Sequence, residues 1–406
     1  MHSLYWLTNV RLDSGFEEDE DGVVHTRSEL CHLKVENGKI EDIRPASLPL
    51  DTDLPRYDAK ELLALPSFVE KHNHLDKTYM GYKWKSCKPV NGLIERLNFE
   101  AKESLVLLDS VKTRAMAMLS LISAAGSTHI RTHVNIDPHV GLKNLEGVRE
   151  ALEAFSDKLT YEIVAFPQHG LLRTQSVALM RQAMKEGATL VGGLDPAGVD
   201  ENIEHSLSQM MEIAVEADAD VDIHLHDGSL LGLHTMKRLA AMTEEAGWQN
   251  RMAISHAFAL GDVPVEQASE MIDRFAELGI QIMSTVPINR AMPPIPLLHE
   301  KDVMVALGCD GFYDSWAPYG GGEVLDKANR LAERCRWIDE RSLTEALTFI
   351  TGGKTTLDRN GNRLWPQIGD EASLVLVEAT CSAETIARRS KRTAVLFKGK
   401  LAHGSL

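Results

Sequence analysis

From Leu62 to Asp310, short apolar runs alternate with helical-period segments of ten to fifteen residues. A strand followed by an amphipathic helix, repeated, must bury the strand on both faces, and this points to a parallel sheet covered by helices. Eight strands are predicted: Leu62–Val69, Ser127–Val134, Thr160–Gln168, Thr189–Asp195, Asp220–Asp227, Arg251–Ala257, Ile280–Val286 and Val303–Asp310. Helical patterns separate most of them, at Ser110–Ala125, Val177–Glu186, Ile203–Glu216, Gly232–Ala246 and Val265–Leu278. Eight such units over roughly 250 residues fit a (β/α)8 barrel. A doubly wound dinucleotide-binding sheet fits less well, because no G-x-G-x-x-G follows the first strand.

The ends of the chain have a different texture. Leu4–Leu12, Glu29–Val35, Ser373–Val377 and Thr393–Lys398 read as strands between turns. The simplest arrangement is a small β-sandwich built from residues 1–62 and 365–406, flanking a barrel of residues 63–364. The acidic run Glu17–Asp21 reads as a solvated loop.

Charge and cysteine content narrow the partners. Among 406 residues, 43 are Lys or Arg and 59 are Asp or Glu, a formal net charge of −16. That surplus is repelled by phosphate backbones and anionic membrane surfaces, so neither nucleic acid nor membrane is an expected partner. Cys31, Cys87, Cys309, Cys335 and Cys381 are odd in number and scattered, which argues against a disulfide framework. With no signal-peptide pattern at the start and no apolar run long enough to span a bilayer, a cytoplasmic setting is expected.

Barrel enzymes carry their catalytic groups at the C-terminal ends of strands. Seven of the eight expected strand ends here hold polar or ionisable residues: His72 and His74, His133, Gln168 and His169, Asp195, His224 with His226 and Asp227, His256, and Asp310. In extended chain, residues i and i+2 project to one face, so His72 and His74 can bind one ion. His224 and His226 repeat that geometry, and spacing alone leaves open which of the two is a ligand. Asp310 adds a carboxylate, and three imidazoles with one carboxylate suit zinc or iron(II). His133 reads equally well as a buried structural residue, and His129, within its strand, as structural. His169 and His226 read as pocket-wall residues, and Lys77 either reaches the pocket mouth or is solvated.

The segments LPSFVEKHNHLDKT, IRTHVNID, VAFPQHGL, VDIHLHDG, ISHAF and GCDGFYDSWAPYG, in order from Leu65 to Gly320, resemble the amidohydrolase superfamily. Within it they are similar to the cytosine deaminase branch, and HNHLDK, VGGLDPA and HLHDG to its triazine-processing members. The resemblance implies a single divalent metal, zinc or iron(II), on His72, His74, His224 and Asp310. It implies that Asp227 is a proton donor and that His256, with Asp310, serves the water that attacks. Gln168 and Trp316 would hold substrate, and Asp195 would line the pocket with them. No lysine ends the fourth strand, so a carbamylated two-metal site is not expected. Two positions depart from cytosine deaminase: Gly311 replaces a second aspartate, and Asp227 replaces a glutamate. Both alter the reach toward a ring and argue against cytosine itself.

The expected activity is therefore hydrolytic deamination, or release of an alkylamine, from a small heterocycle such as an aminated pyrimidine or triazine. Ring-opening of a cyclic amide is the alternative enzyme reading. A non-catalytic metal-binding relative is disfavoured, because both expected proton-transfer residues are present. Barrels of this family often assemble, so a homo-oligomer is compatible with the sequence.

Overall fold

The computed structural model describes all 406 residues as two eight-stranded sheets, with helices packed around one of them. The barrel strands run in chain order from β6 to β13 and are parallel at every pairing. The second sheet takes β1 (Leu4–Glu18), β2 (Val24–Glu36), β3 (Lys39–Pro45), β4 (Arg56–Asp58) and β5 (Leu63–Pro66) from the start of the chain. The barrel follows as β6 (Phe68–Asn73), β7 (Ser127–Asn135), β8 (Thr160–Phe166), β9 (Leu190–Leu194), β10 (Asp220–His224), β11 (Met252–Ser255), β12 (Gln281–Ser284) and β13 (Val305–Leu307). The last strands, β14 (Leu374–Val377), β15 (Arg392–Phe397) and β16 (Lys400–Gly404), return to the second sheet. No helix is long and apolar enough to cross a membrane.

The stretch expected as one strand, Leu62–Val69, is two. β5 pairs with β1 and β14, whereas β6 pairs with β7. The chain therefore passes between sheets at Ser67, because the hydrogen-bond partners change there; residue 62 does not mark the change. The acidic run lies at the tip of the β1–β2 hairpin, where Asp19 accepts the backbone N–H groups of Asp21 and Val23. That is a turn held by its own side chain.

Each sheet has its own core. A continuous apolar cluster fills the barrel wall and its helices, including Ile130, Ile163, Ile223 and Phe275. A smaller cluster lies under the terminal sheet, around Tyr5, Leu33, Trp365 and Leu374. The Tyr5 hydroxyl donates to the Gly399 carbonyl at 2.7 Å, tying the two chain ends together.

Closure of the barrel positions the site. The Asp310 backbone N–H donates to the His72 carbonyl at 2.8 Å, and Asn73 bridges to Asp310 in parallel register. The buried carboxylate of Glu70 accepts the N–H groups of both His72 and Cys309, sealing the same seam. Gly308 makes this approach feasible: a Cβ there would lie 2.4 Å from the His72 Cβ and 2.7 Å from its backbone oxygen. Gly308→Ala should therefore destabilise the fold by about 1–3 kcal/mol, read as a fall in the urea midpoint, with loss of bound metal as His72 is displaced.

Candidate metal centre and active-site cavity

Strand ends deliver the donors. His72 ends β6 with Asn73, His74 follows at once, His224 closes β10, and Asp310 lies just past β13. The Nε2 atoms of His224 and His74 are 3.4 Å apart. Asp310 Oδ1 lies 3.4 Å from His74 Nε2 and 3.7 Å from His72 Nε2. Ligands about 2.1 Å from a tetrahedral ion lie about 3.4 Å from one another, so these three separations suit donors that share one divalent metal; Asp310 also falls within reach of His72 and His256 together. The protonation states agree. Burial and neighbouring positive charge hold His74, His224 and His256 well below the ordinary histidine range, so their rings are neutral. Burial alone would push the Asp310 carboxyl up, but His72 and His74 beside it hold it well below the usual range.

Unpartnered nitrogens mark the same place. His72 Nε2 and both ring nitrogens of His133 and His256 are buried without a hydrogen bond. Buried polar atoms are almost always paired, so such a cluster calls for an ion or a reacting group. His72, His74, His133 and His224 also have nitrogens mutually within metal-binding reach, which brings His133 into the cluster. Burial, with His72 next to it, takes His133 down to about 4.

Beneath the donors lies a fixed support. The His72 Nδ1–H donates to Ser255 Oγ at 2.8 Å, and that hydroxyl donates to Asp222 Oδ1 at 2.7 Å. Asp222 also accepts from Arg131 at 2.9 Å, and Arg131 in turn pairs with Glu162. This chain sets the His72 ring so that Nε2 faces Asp310, the usual way a second partner orients a metal-binding imidazole. His129 binds Thr160 and Glu162 at the far side of this chain, consistent with the structural role expected of it.

A cavity of about 120 Å3 opens beside the donors. That is on the order of the roughly 150 Å3 apolar cavity that holds a benzene ring. Its wall includes Phe166, Gln168, His226, His256 and Trp316. Phe166 stacks on His224 at 4.1 Å between ring centroids. The Trp316 indole N–H donates to Glu100 at 2.6 Å, fixing its plane.

Three expected residues stand elsewhere. Asp227 is outside the cavity wall: its carboxylate accepts the backbone N–H groups of Ala197 and Gly198 at 3.3 and 3.4 Å. β10 ends at His224, so the following residues leave strand geometry and Asp227 turns toward the β9 loop. Asp195 does not line the cavity either. It accepts the His226 backbone N–H at 2.5 Å and its Nδ1–H at 2.8 Å, and so stands behind His226. His226, its ring 4.2 Å from that of His256, occupies the wall instead. Burial lowers the proton affinity of His226, and the Asp195 carboxylate more than restores it, leaving it raised. His169 pairs with Asp137 at 2.9 Å, outside the cavity.

Three wall-related residues lay beyond the sequence reading or were left open by it. Glu100 sits on the buried stripe of helix α1 (Leu93–Leu107), with Leu97, Ala101, Ser104 and Leu107. A glutamate in an apolar stripe is the signal that would have found it. Asp314 is buried in the wall, its carboxyl pushed up to about 7 by burial. Lys77 is buried as well, its ammonium against Gln168.

The sequence profile of the amidohydrolase family matches residues 57–403. The chain belongs to the amidohydrolase family. It is a hydrolase acting on C–N bonds. An uncharacterised Escherichia coli K12 protein, YahJ, is 40 % identical over 405 residues, covering 99 % of this chain and 88 % of that one. N-isopropylammelide isopropyl amidohydrolase of Pseudomonas sp. strain ADP is 28 % identical over 353 residues, 85 % of this chain and 87 % of that protein. The solved N-isopropylammelide isopropylaminohydrolase of Burkholderia multivorans superposes with a TM-score of 0.86 at 30 % identity, covering 98 % of each chain.

The support chain makes a measurable claim. Ser255→Ala should weaken metal binding by about 10- to 100-fold, measured by competition with a chromogenic chelator, while far-ultraviolet circular dichroism stays unchanged.

Proposed function

We propose that this amidohydrolase hydrolyses an exocyclic C–N bond of a small N-heterocycle, such as an aminated pyrimidine or triazine, and releases ammonia or an alkylamine. The observation that carries this reading is the convergence of four donor atoms beside a ring-sized cavity walled by two further histidines. The N-isopropylammelide hydrolase neighbours, named for release of an alkylamine from a triazine, support it. His72, His74, His224 and Asp310 would hold one divalent ion, zinc or iron(II). When bound, such an ion supplies a water acidic enough to attack an sp2 carbon near neutral pH.

The remaining work falls to the chain. Phe166 and Trp316 face a flat ring, and Gln168 gives it one polar edge. His256, neutral and with both nitrogens free, accepts the proton of the attacking water. The water oxygen bonds to the ring carbon, and the C–N bond breaks as the nitrogen gains a proton. His226 donates that proton, and Asp195 steadies the charged imidazole before it does so. In this reading the acid role foreseen for Asp227 passes to His226, because only the latter faces the ring. Five unpaired cysteines accord with a reducing cytoplasmic setting.

Metal-loaded enzyme tested on aminated pyrimidines, triazines and pterins should yield products about one mass unit heavier where NH2 becomes OH. A gain of a whole water would instead mean ring opening. Chelation should abolish turnover, and added zinc or iron(II) should restore it. His226→Ala and His256→Ala should each lower kcat by about 10²-fold or more. Asp227→Ala should leave kcat within about threefold of wild type, since that carboxylate serves a loop; an equal collapse in Asp227→Ala would return the acid role to it.

A further inference from the structure

One buried cation at the cavity has no part in the reaction above. Lys77 is 6 % exposed and lines the cavity beside His74 and Gln168. Its ammonium donates to the Gln168 side-chain oxygen at 2.5 Å. Behind it, Glu100 Oε1 lies 3.4 Å from Nζ. That same carboxylate accepts from Asn135 Nδ2 at 3.0 Å and from Trp316 Nε1 at 2.6 Å. The ammonium also lies 5.9 and 5.8 Å from the ring centroids of Phe166 and Trp316. Burial disfavours its charge, but Glu100 and Asp76 more than offset this, so Lys77 stays protonated.

A glutamine amide has one acceptor oxygen and one NH2 donor group, whereas an ammonium only donates. With the Gln168 oxygen taken by Lys77, the amide has one orientation. Turning it over would set NH2 against NH3+ and leave buried donors facing each other, which is costly. The Gln168 NH2 is therefore the group that this residue can offer a ligand. Together with the remaining N–H of Lys77, it makes one edge of the cavity a donor edge.

We propose that Lys77, anchored by Glu100, is a positioning residue that sets Gln168 as a hydrogen-bond donor, so that the cavity selects rings with an oxo group at that edge over rings with an amino group there. The inference rests on reading the cavity as a heterocycle site and names the substrate class for it. Glu100 has a double part, because it holds both Lys77 and the plane of Trp316. A ring with an oxo acceptor at that edge satisfies it; a ring with an amino group there meets donor with donor.

The test is calorimetric binding of matched oxo- and amino-triazines to the metal-loaded full-length enzyme and its variants, with product release followed in parallel. Wild type should bind the oxo ring at least about tenfold more tightly than its amino counterpart. Lys77→Met, which keeps length and loses the donor, should bring that ratio to within about threefold. Lys77→Arg should restore most of it, an outcome that a packing role for the aliphatic stem does not produce. Glu100→Gln, which keeps a partner for Trp316, should lower the ratio partway and carries the test if Lys77→Met does not fold. Metal content and melting temperature confirm that each variant is intact. A wild type without preference, binding of neither ring, or a Lys77→Met variant that keeps the full ratio overturns the proposal. Oxo-selective binding without release of ammonia or amine would leave it standing and defeat the reaction proposed above.

Discussion

Five imidazoles crowd one carboxylate at the mouth of the barrel, and the rest of the architecture is arranged to keep them there. The ring centroids of His133, His224 and His256 lie 4.4, 4.6 and 4.8 Å from that of His72, with His74 beside them, in a buried space where most of their nitrogens find no protein partner. Such a cluster is unfavourable for folding by itself, since each unpaired buried polar atom costs about 1–3 kcal/mol. It persists because burial holds His74, His133, His224 and His256 toward the neutral form, which limits repulsion, and because strand ends fix their directions. A metal ion offers these lone pairs a common partner, so binding and stability are coupled at this point.

The barrel meets that demand through its seam and its floor. Glu70 and Gly308 bring β6 and β13 together, which sets His72 and His74 against Asp310. Ser255 and Asp222 fix the His72 ring from below, and His133, with Arg131 beside it, holds the buried Asp222 carboxyl below the usual carboxylate range. Backbone strain collects at the same level. Asp195, His256 and Asp310 all have positive φ, at 33°, 71° and 64°. Non-glycine residues adopt that region at a cost, and its presence at these three strand ends is strain of the kind held at functional sites.

Much of this was legible in the sequence. The alternation of apolar runs and amphipathic helices pointed to the barrel, the polar strand ends brought out His72, His74, His133, His224, His226, His256 and Asp310 as candidates, and the family resemblance chose among them. What escaped depends on geometry that begins where regular structure stops. Asp227 lies three residues past the end of β10, where the two-residue alternation no longer decides direction, so its carboxylate turned to the β9 loop, while His226 holds the wall position expected of it. Asp195 reached the right strand end but turned its carboxylate toward His226. Glu100 and Lys77 stand 23 positions apart in the chain, and no local pattern encodes that pairing. The division at Ser67 was hidden because the largely apolar run Leu62–Val69 continues across it, so β5 and the start of β6 differ only in their partners.

The ligand set of the cluster is the point on which everything else rests, and X-ray absorption combined with anomalous scattering from zinc-loaded crystals measures it directly. The ligand set proposed above predicts one ion per chain, with three imidazole nitrogens and one carboxylate oxygen at about 2.0–2.2 Å, drawn from His72, His74, His224 and Asp310. An ion seated on His133 in place of Asp310, two ions, or none after reconstitution would contradict it.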